Sequence, residues 1–296
     1  MVSPKTRYLL FFQYFGTKYC GVKEVRPDQA VLGVQNHLEM AAEKLRHSTP
    51  SKFAISSRTD SGVHALCNAA HLDIERSDGK PPFAENILTD SLNHHLKPEP
   101  IRILGARRVP STFHARFSAR SRTYVYRVAT GCSHHLELPV FERNRCWATY
   151  RGHLNPLAMQ EAAAFLLGTH DFSTFRSASA ELPKRDPVKS LSRVEVRPVP
   201  GFLSEHSKDS HLRFWEMEFT APSFLYKQVR RMVGVLVAVG QGRLEPHHVQ
   251  RLLEIRDLMA YPDNTIAPPD GLFLKDVEYC EADLEISEAE SEWQPN

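Results

Sequence analysis

The chain has 296 residues, with 37 Lys and Arg against 35 Asp and Glu, 42% hydrophobic residues, 14 Gly and 20 Pro. These proportions are typical of a globular protein and exclude collagen-like, coiled-coil and fully disordered chains. The length predicts about two domains, each able to bury its own core, and the absence of an apolar run near the roughly 20 residues that cross a bilayer predicts no membrane segment.

The first half of the chain predicts one α+β unit. The apolar run from Tyr8 to Phe15 predicts a buried strand. Asp28 is the predicted N-cap of a helix whose apolar residues follow helical spacing, namely Val31, Val34, Leu38, Ala42 and Leu45. Further along we expect short strands at 53–56 and 69–74 around a polar loop, a helix near 83–92, and a strand at 101–109.

The second half predicts another α+β unit. Residues 122–129 alternate as in a strand, and Asn155 is expected to cap a helix that Pro156 begins and Gly168 ends. The other expected elements are strands at 191–196, 212–220 and 272–279, helices at 224–239 and after Pro246, and loops at 176–189 and 198–209. We therefore predict an N-terminal α+β domain at 1–109, a C-terminal α+β domain at 110–280, and a disordered acidic tail at 281–296.

Charge and cysteine content narrow the class of protein. The tail carries six acidic residues and no Lys or Arg, so residues 1–280 hold 37 basic against 29 acidic residues, a net charge of +8. A basic body is compatible with a polyanionic partner. Five widely spaced cysteines without a C-x-x-C pair argue for a reducing compartment and against a disulfide framework or a thiolate zinc site. The start also lacks the apolar stretch of a secretory signal.

Three segments carry residue types that suit chemistry on a polyanion. In the first, small residues surround Arg58 and Asp60 in the sequence Ser56-Ser57-Arg58-Thr59-Asp60-Ser61-Gly62-Val63-His64-Ala65. Small side chains let a substrate approach the backbone, and a loop on a rigid sheet suits a reactive carboxylate. The structural alternative is an ordinary turn, since Asp followed by Ser-Gly is a common turn sequence.

The other two segments combine arginine with aromatic or apolar residues. From Phe113 to Tyr124 three arginines alternate with aromatic residues, which suits phosphate contacts and base stacking, and also suits a solvated edge. The apolar helix at 224–234 carries Lys227, Arg230 and Arg231. A buried arginine there needs a carboxylate or phosphate partner, whereas snorkelling would place it at the helix surface.

Together these segments resemble the tRNA pseudouridine synthases of the TruA type, over nearly all of residues 6–280. The family pattern R-T-D-x-G-V-H-A appears at 58–65, and F-H-A-R-F-S-A appears at 113–119 with the following tyrosine at Tyr124. The pieces D-F-S-x-F-R, V-R-x-M-V-G and G-L-x-L-x-x-V-x-Y follow at 171–176, 229–234 and 271–279. Five pieces in the family order make a chance agreement implausible.

The resemblance implies a fold and a reaction. The fold is α+β, the pseudouridine synthase fold, in which the sheets of two α+β units meet in a central cleft with helices packed outside. The reaction is the isomerisation of a uridine in RNA: the C1′–N1 bond breaks, the uracil turns, and a C1′–C5 bond forms, with no cofactor or metal. Asp60 would start it, either by attacking C1′ or by removing the 2′ proton.

The same resemblance implies the roles of the remaining site residues. Arg230 would pair with Asp60 and keep it ionised. Tyr124 would stack on the flipped uracil and help to remove the C5 proton, while Arg58 would contact a phosphate and fill the space that the flipped nucleotide leaves. The further substrate contacts are Leu272 against the base and Arg116, Arg120 and Lys227 at phosphates.

The sequence departs from the family pattern at two places. The usual Y-D-G and G-W appear as Tyr14-Phe15-Gly16 and Gly21-Val22. By family analogy these positions lie near an RNA-guiding forearm loop, which predicts an altered choice of target. Ser57 and Ser61 replace a Gly and an Ala beside the aspartate, a small change that leaves room for the substrate.

Other functions stay open on the sequence alone. The alternative is a catalytically silent RNA-binding protein on the same scaffold, which the retained Asp60 and Arg230 disfavour. A nucleoside hydrolase would need a second carboxylate in the Asp60 loop, and none is present there. His64 is expected to hold its loop by hydrogen bonding rather than to act as a base. We also expect no metal at the doublets 94–95, 134–135 and 247–248, because adjacent histidines point apart in helices and strands.

The expected partner is tRNA or another structured RNA, with no membrane. The resemblance adds a homodimer and favours mitochondria over the cytosol or nucleus.

Overall fold

The computed structural model describes residues 5–45, 50–76, 80–134, 137–150, 152–178, 186–202 and 211–286. The chain forms two compact units: unit 1 is Met1–Arg122 with Leu274–Asn296, and unit 2 is Thr123–Phe273. Each unit contains strands and helices, which confirms the predicted α+β class. In this division, residues 110–122 and most of the last strand belong to the N-terminal unit. The domain limits expected from the sequence stay a prediction.

Unit 1 is built on a sheet in the strand order β4-β1-β3-β11, with β2 also paired to β3. The bounds are β1 Thr6–Tyr14, β2 Phe53–Ile55, β3 His64–Ile74, β4 Ile101–Arg108 and β11 Leu272–Tyr279. Strand β1 is antiparallel to both β3 and β4. The side chains of Tyr8, Leu9, Leu10 and Phe12 are fully buried, which confirms the predicted buried strand.

Two helices complete unit 1, α1 (Val34–Glu43) and α2 (Glu85–His95). They contact each other, and α1 also contacts β2 while α2 contacts β4. The predicted cap of α1 at Asp28 is wrong, because Gly33 is the N-cap. The N–H groups of Val34 and Gln35 donate to the carbonyls of Gly21 (3.0 Å) and Val22 (2.9 Å). This distant backbone satisfies the first turn and sets where the helix begins.

Unit 2 contains the sheet order β5-β10-β9, and the two-residue strand β6 is parallel to β5. A separate pair, β7 and β8, is antiparallel. The bounds are β5 Ala119–Thr130, which begins in unit 1, β6 Trp147–Ala148, β7 Gly168–Asp171, β8 Val188–Leu191, β9 Arg193–Val199 and β10 Arg213–Ala221. The sequence did not predict the short strands β6, β7 and β8, and the first half of β8 lies in a segment that we expected to be a loop.

The helices of unit 2 are α3 (Pro156–Ala164), α4 (Gln228–Gly240) and α5 (His247–Ile255). The predicted cap of α3 is confirmed: the Asn155 side chain accepts hydrogen bonds from the N–H groups of Leu157 and Ala158, and Pro156 occupies the first turn. Helix α3 contacts α4, α5 and β9. Helix α4 is almost wholly buried, as its apolar sequence predicts.

Three further expectations concern the cysteines, a membrane-spanning helix and the acidic tail. All five cysteines lie in the described part of the chain, and all are free thiols. Within that part, no helix has both the length and the apolar character needed to cross a bilayer. Of the acidic tail, Glu281–Asp283 forms a single 3₁₀ turn and Leu284 is buried, while 287–296 fall outside the described residues.

Candidate active site

The segment that carries Asp60 connects β2 to β3, and we call residues 56–63 the Asp60 loop. A turn closes it, since the N–H of Val63 donates to the carbonyl of Asp60 at 3.1 Å and Gly62 has φ +78°. The left-handed backbone at this position explains the glycine. Asp60 is half-buried and Arg58 is exposed. The loop therefore presents a carboxylate and a guanidinium from a defined turn.

Side-chain and backbone groups of residues 14–22, from the end of β1 onward, form hydrogen bonds with the Asp60 loop. The Tyr14 hydroxyl lies 2.8 Å from Thr59 Oγ1, the N–H of Val22 donates to the Thr59 carbonyl at 3.2 Å, and Ser61 Oγ donates to the Tyr19 carbonyl at 3.2 Å. Burial raises the pKa of Tyr14 to about 12, so this hydroxyl stays protonated at neutral pH. These bonds fix the backbone on both sides of Asp60.

Two glycines let this support approach closely. A Cβ on Gly16 would lie 1.9 Å from the Val63 carbonyl oxygen, and a Cβ on Gly21, which has φ +114°, would lie 2.7 Å from the Thr59 carbonyl oxygen. The departures from the family pattern at 14–16 and 21–22 thus lie directly beneath the Asp60 loop. The interpretation that they change target choice stays a prediction, whereas their contact with the loop is what the structure establishes.

His64 has the structural role that we expected. It is fully buried, its Nδ1 accepts the N–H of Gly16 at 2.9 Å, and its ring lies edge-on to Phe15 with centroids 5.7 Å apart. The bond ties the start of β3 to the segment beneath the loop. Strand β3 begins here rather than at 69 as expected, so the Asp60 loop leads directly into a strand whose first residue is anchored.

The F-H-A-R-F-S-A pattern forms a second loop in unit 1, residues 109–118, which we call the Phe117 loop. The N–H groups of Phe117 (3.0 Å) and Ser118 (2.8 Å) both donate to the His114 carbonyl. Arg116 is half-buried and Arg120 is exposed, while Phe117 exposes 76% of its surface. The guanidinium of Arg116 lies 5.6 Å from the Phe117 ring centroid. A cationic and aromatic surface of this kind suits nucleic acid.

A histidine from β3 supports the Phe117 loop. His71 Nδ1 accepts the N–H of Ala115 at 3.1 Å, and its ring is edge-on to that of His114 with centroids 4.7 Å apart. Burial, Arg7 and His114 together lower the pKa of His71 to about 4. His71 is therefore neutral at physiological pH, and its Nδ1 lone pair stays available as an acceptor.

Arg122 is the residue of unit 1 that the sequence analysis left without a role. It is only 9% exposed. Its guanidinium donates to two serines of the Asp60 loop, to the Arg116 carbonyl in the Phe117 loop, and to the Ala119 carbonyl just after that loop. The sequence contains only a weak indication that Arg122 is structural, because three arginines occur within seven residues and only the fold shows which of them is buried.

Tyr124 and Leu272 belong to unit 2, at the ends of β5 and β11 that lie in that unit. Tyr124 is 8% exposed, and the Phe224 ring meets it edge-on at 5.2 Å between centroids. Leu272 is 5% exposed. Gly271 precedes it, where a Cβ would lie 2.5 Å from the Arg127 carbonyl oxygen. Packing thus fixes both residues within unit 2.

Arg230 and Lys227 belong to the beginning of α4. Arg230 is half-buried, its Nε donates to the Ala267 carbonyl at 2.8 Å, and its own carbonyl accepts the N–H of Ala267 at 3.1 Å. Lys227 is the N-cap with φ +57°, and its Nζ lies 4.9 Å from the Tyr226 ring centroid. Arg58 and Asp60 share the Asp60 loop of unit 1, and Lys227 and Arg230 share the beginning of α4 in unit 2. The convergence of all the site residues on one uridine stays a prediction.

Our reason for excluding metal at the histidine doublets, that adjacent rings point apart, is wrong at 247–248, where the rings stack with centroids 4.6 Å apart, and at 94–95, where they meet edge-on at 5.1 Å. The ligand atoms of Glu245, His247 and His248 lie within 4.8 Å of one another. However, Nδ1 of His248 lies 3.0 Å from the backbone nitrogen and 3.2 Å from the carbonyl oxygen of Glu245, so backbone atoms already contact this ring nitrogen. Of the doublet 134–135, the second histidine falls outside the described residues.

Comparisons with known proteins agree with these features. A family model described as tRNA pseudouridine synthase matches residues 10–118 and 162–280. The chain is 59% identical over 290 residues to tRNA pseudouridine synthase-like 1 of Xenopus laevis, covering 98% of this chain and 97% of that one. It is 54% identical over 280 residues to the Homo sapiens protein of that name, covering 94% and 91%. With tRNA pseudouridine synthase A of Maricaulis maris it shares 38% identity over 274 residues, covering 92% and 98%.

Proposed function

The chain belongs to the tRNA pseudouridine synthase family, and on this basis we propose that it isomerises uridine to pseudouridine in tRNA, with Asp60 as the group that starts the reaction. The observation that carries the proposal is the Asp60 loop itself. It has the family motif, and its carboxylate is half-buried on a backbone that bonds to Thr59, Ser61 and Val63 hold in place. A reactive group needs such pre-organisation.

The reaction needs only the substrate's own atoms. The Asp60 carboxylate either displaces uracil from C1′, forming an ester, or removes the 2′ proton as uracil leaves, forming a glycal. The uracil then turns, C5 bonds to C1′, and the carboxylate is released or returns the 2′ proton. The C5 proton then leaves and N1 takes up a proton, so that no proton is gained or lost overall. The product has the composition of the substrate, as an isomerisation requires.

The remaining roles are part of the proposal and rest on the family resemblance together with local packing. Arg58 is exposed, as a phosphate contact requires. Tyr124 is held edge-on by Phe224, which suits a ring that stacks on a flipped base. To Arg230 we assign the stabilisation of the Asp60 carboxylate. The further substrate contacts are Leu272, Arg116, Arg120 and Lys227.

The decisive experiment compares Asp60→Asn with the wild type on a tRNA transcript. Asn keeps the shape of the side chain but lacks the charge, so we expect the rate of pseudouridine formation to fall at least about a thousand-fold while tRNA affinity is kept. Asp90→Asn is the matched control, because Asp90 is an exposed carboxylate on α2 of the same unit.

Two outcomes would contradict the proposal. Pseudouridine formation by Asp60→Asn at the wild-type rate would remove Asp60 from the mechanism. A wild-type protein that binds tRNA in a salt-dependent manner without forming pseudouridine would instead be the silent RNA-binding protein.

The family resemblance supports two finer statements, which we add as proposals. The protein acts as a homodimer, which light scattering of the purified chain tests by its mass. It acts in mitochondria, which cell fractionation tests. A monomeric mass or exclusion from the mitochondrial fraction would contradict the respective statement.

A further inference from the structure

Arg122 joins the two loops of unit 1 that carry the proposed RNA-facing residues. Its Nε donates to Ser57 Oγ at 3.2 Å and its Nη2 to Ser56 Oγ at 3.4 Å, both in the Asp60 loop. The same Nη2 donates to the carbonyl of Arg116 at 2.7 Å, and Nη1 donates to the carbonyl of Ala119 at 3.3 Å. These bonds join segments about 60 residues apart in sequence.

The shape of the guanidinium makes this a rigid connection. The group is planar, and its five N–H bonds point in fixed directions, so acceptors in two loops are held in one geometry. Arg122 is 9% exposed, and a buried charge is tolerated only where its hydrogen bonds are made. A movement of either loop therefore costs bonds to the other.

A second buried side chain braces the same place. The Tyr279 hydroxyl donates to the carbonyl of Ala115 at 2.6 Å, next to the Arg116 carbonyl that Arg122 binds. Burial raises the pKa of Tyr279, and a hydrogen bond with Ser56 opposes that shift. The inner sides of both loops are thus bonded into one buried cluster, whereas Phe117 and Arg58 on the outer sides are exposed.

We propose that Arg122 is a positioning residue that couples the Phe117 loop to the Asp60 loop, so that RNA held on the Phe117 loop keeps the carboxylate in its reacting geometry. The inference rests on the proposed function. Arg122 itself acts through Ser56 and Ser57 and need not touch the substrate. A displacement of about 1 Å at a reacting group can cost two orders of magnitude in rate, so this coupling is large enough to measure.

Ser57 adds to the coupling a hydrogen bond that the family pattern lacks, beside the bond of Arg122 to Ser56. The family pattern has glycine at this place, and glycine offers no side-chain acceptor to Arg122. The Ser57 hydroxyl therefore accepts an additional hydrogen bond between the loops. Replacing Ser57 by glycine removes this bond and gives the residue that the family pattern has at this position. Ser57→Gly consequently tests the coupling without threatening the fold.

The experiment measures single-turnover pseudouridine formation and tRNA affinity for Arg122→Lys, Arg122→Gln and Ser57→Gly. Arg251→Gln, which removes an exposed charge from α5, is the matched control for lost charge. We expect Arg122→Gln to lower the rate about 10- to 100-fold with tRNA affinity within about twofold of wild type. Lysine lacks the planar fork and restores little of the rate. Ser57→Gly should lower the rate less.

A double-mutant cycle separates coupling from general damage. If the two side chains act through their mutual bond, Ser57→Gly has no further effect on the rate in the Arg122→Gln background. Independent effects on the rate, or a loss of tRNA affinity that accounts for the whole loss of activity, would overturn the inference. Should Arg122→Gln fail to fold, Ser57→Gly at the full wild-type rate would still overturn it. A wild-type protein without pseudouridine formation overturns the proposed function instead.

Discussion

Gly16→Ala perturbs the Asp60 loop through a backbone contact with Val63, without altering any residue of the loop. The new Cβ would lie 1.9 Å from the Val63 carbonyl oxygen and 2.6 Å from its carbon, both backbone atoms. Reaching an ordinary contact of 3.4 Å requires a shift of roughly 1.5 Å at the end of the Asp60 loop. Flexible side chains cannot absorb this shift, because the clash is with backbone.

The expected cost follows from this geometry. Overpacking of a buried site typically lowers the free energy of unfolding by about 1–3 kcal/mol. In proteins of about 150–250 residues each kcal/mol lowers the melting temperature by about 2–4 °C. The turn that Val63 closes with Asp60 moves with the carbonyl. We expect the turn to pass much of this shift to Asp60, and a displacement of about 1 Å at a reacting group predicts a loss of about 100-fold in the rate of pseudouridine formation.

The assay combines thermal unfolding with single-turnover kinetics on tRNA. Gly105→Ala is the matched control, because Gly105 lies in β4 of the same unit and a Cβ there meets no atom within 4 Å. We expect this control to leave the melting temperature equal or slightly raised, since alanine restricts the unfolded chain. Equal melting temperatures and equal rates for the two variants would refute the view that the absence of a side chain at Gly16 determines the position of the Asp60 loop.

Two further predictions concern buried ionisable side chains. Burial, Arg7 and His114 lower the pKa of His71 from 6.5 to about 4. Between these pH values the unfolded chain binds more protons than the folded chain, so the free energy of unfolding falls as the pH is lowered through this range. The loss is on the order of 2–3 kcal/mol. Urea unfolding at pH 7 and pH 5 should show a smaller difference for His71→Asn than for wild type, and an unchanged difference would contradict the assignment. Glu142 is 1% exposed and accepts two hydrogen bonds from Arg127. Glu142→Gln should therefore lower the free energy of unfolding by about 3–5 kcal/mol in the same measurement at pH 7. A loss below about 1 kcal/mol would show that the pair is dispensable.

Features set by neighbouring residues were predictable. Asn155 and Pro156 start α3 as expected, because the cap binds N–H groups two and three residues further along. Strand β11 has the predicted bounds, Leu272–Tyr279, and β1 is the buried strand that its apolar run indicates. In these cases the interactions that decide the structure lie within the segment itself.

Features set by distant residues were not predictable. Helix α1 begins at Val34 because carbonyls at 21 and 22 receive its first N–H groups, and no local pattern reports those carbonyls. The role of His64 was anticipated, but its partner, the N–H of Gly16, lies 48 residues away.

The sequence alone determined the α+β class, the family, and the chemical identity of the candidate catalytic residue, because motif spacing and hydrophobic pattern are properties of contiguous residues. Only the tertiary structure showed that Gly16 and Gly21 support the Asp60 loop, and that Arg122, among three neighbouring arginines, is the buried one that ties two loops together. Burial and hydrogen-bond partners depend on which distant segments the fold brings into contact, and the arginine pattern is the same whether a guanidinium faces solvent or the core.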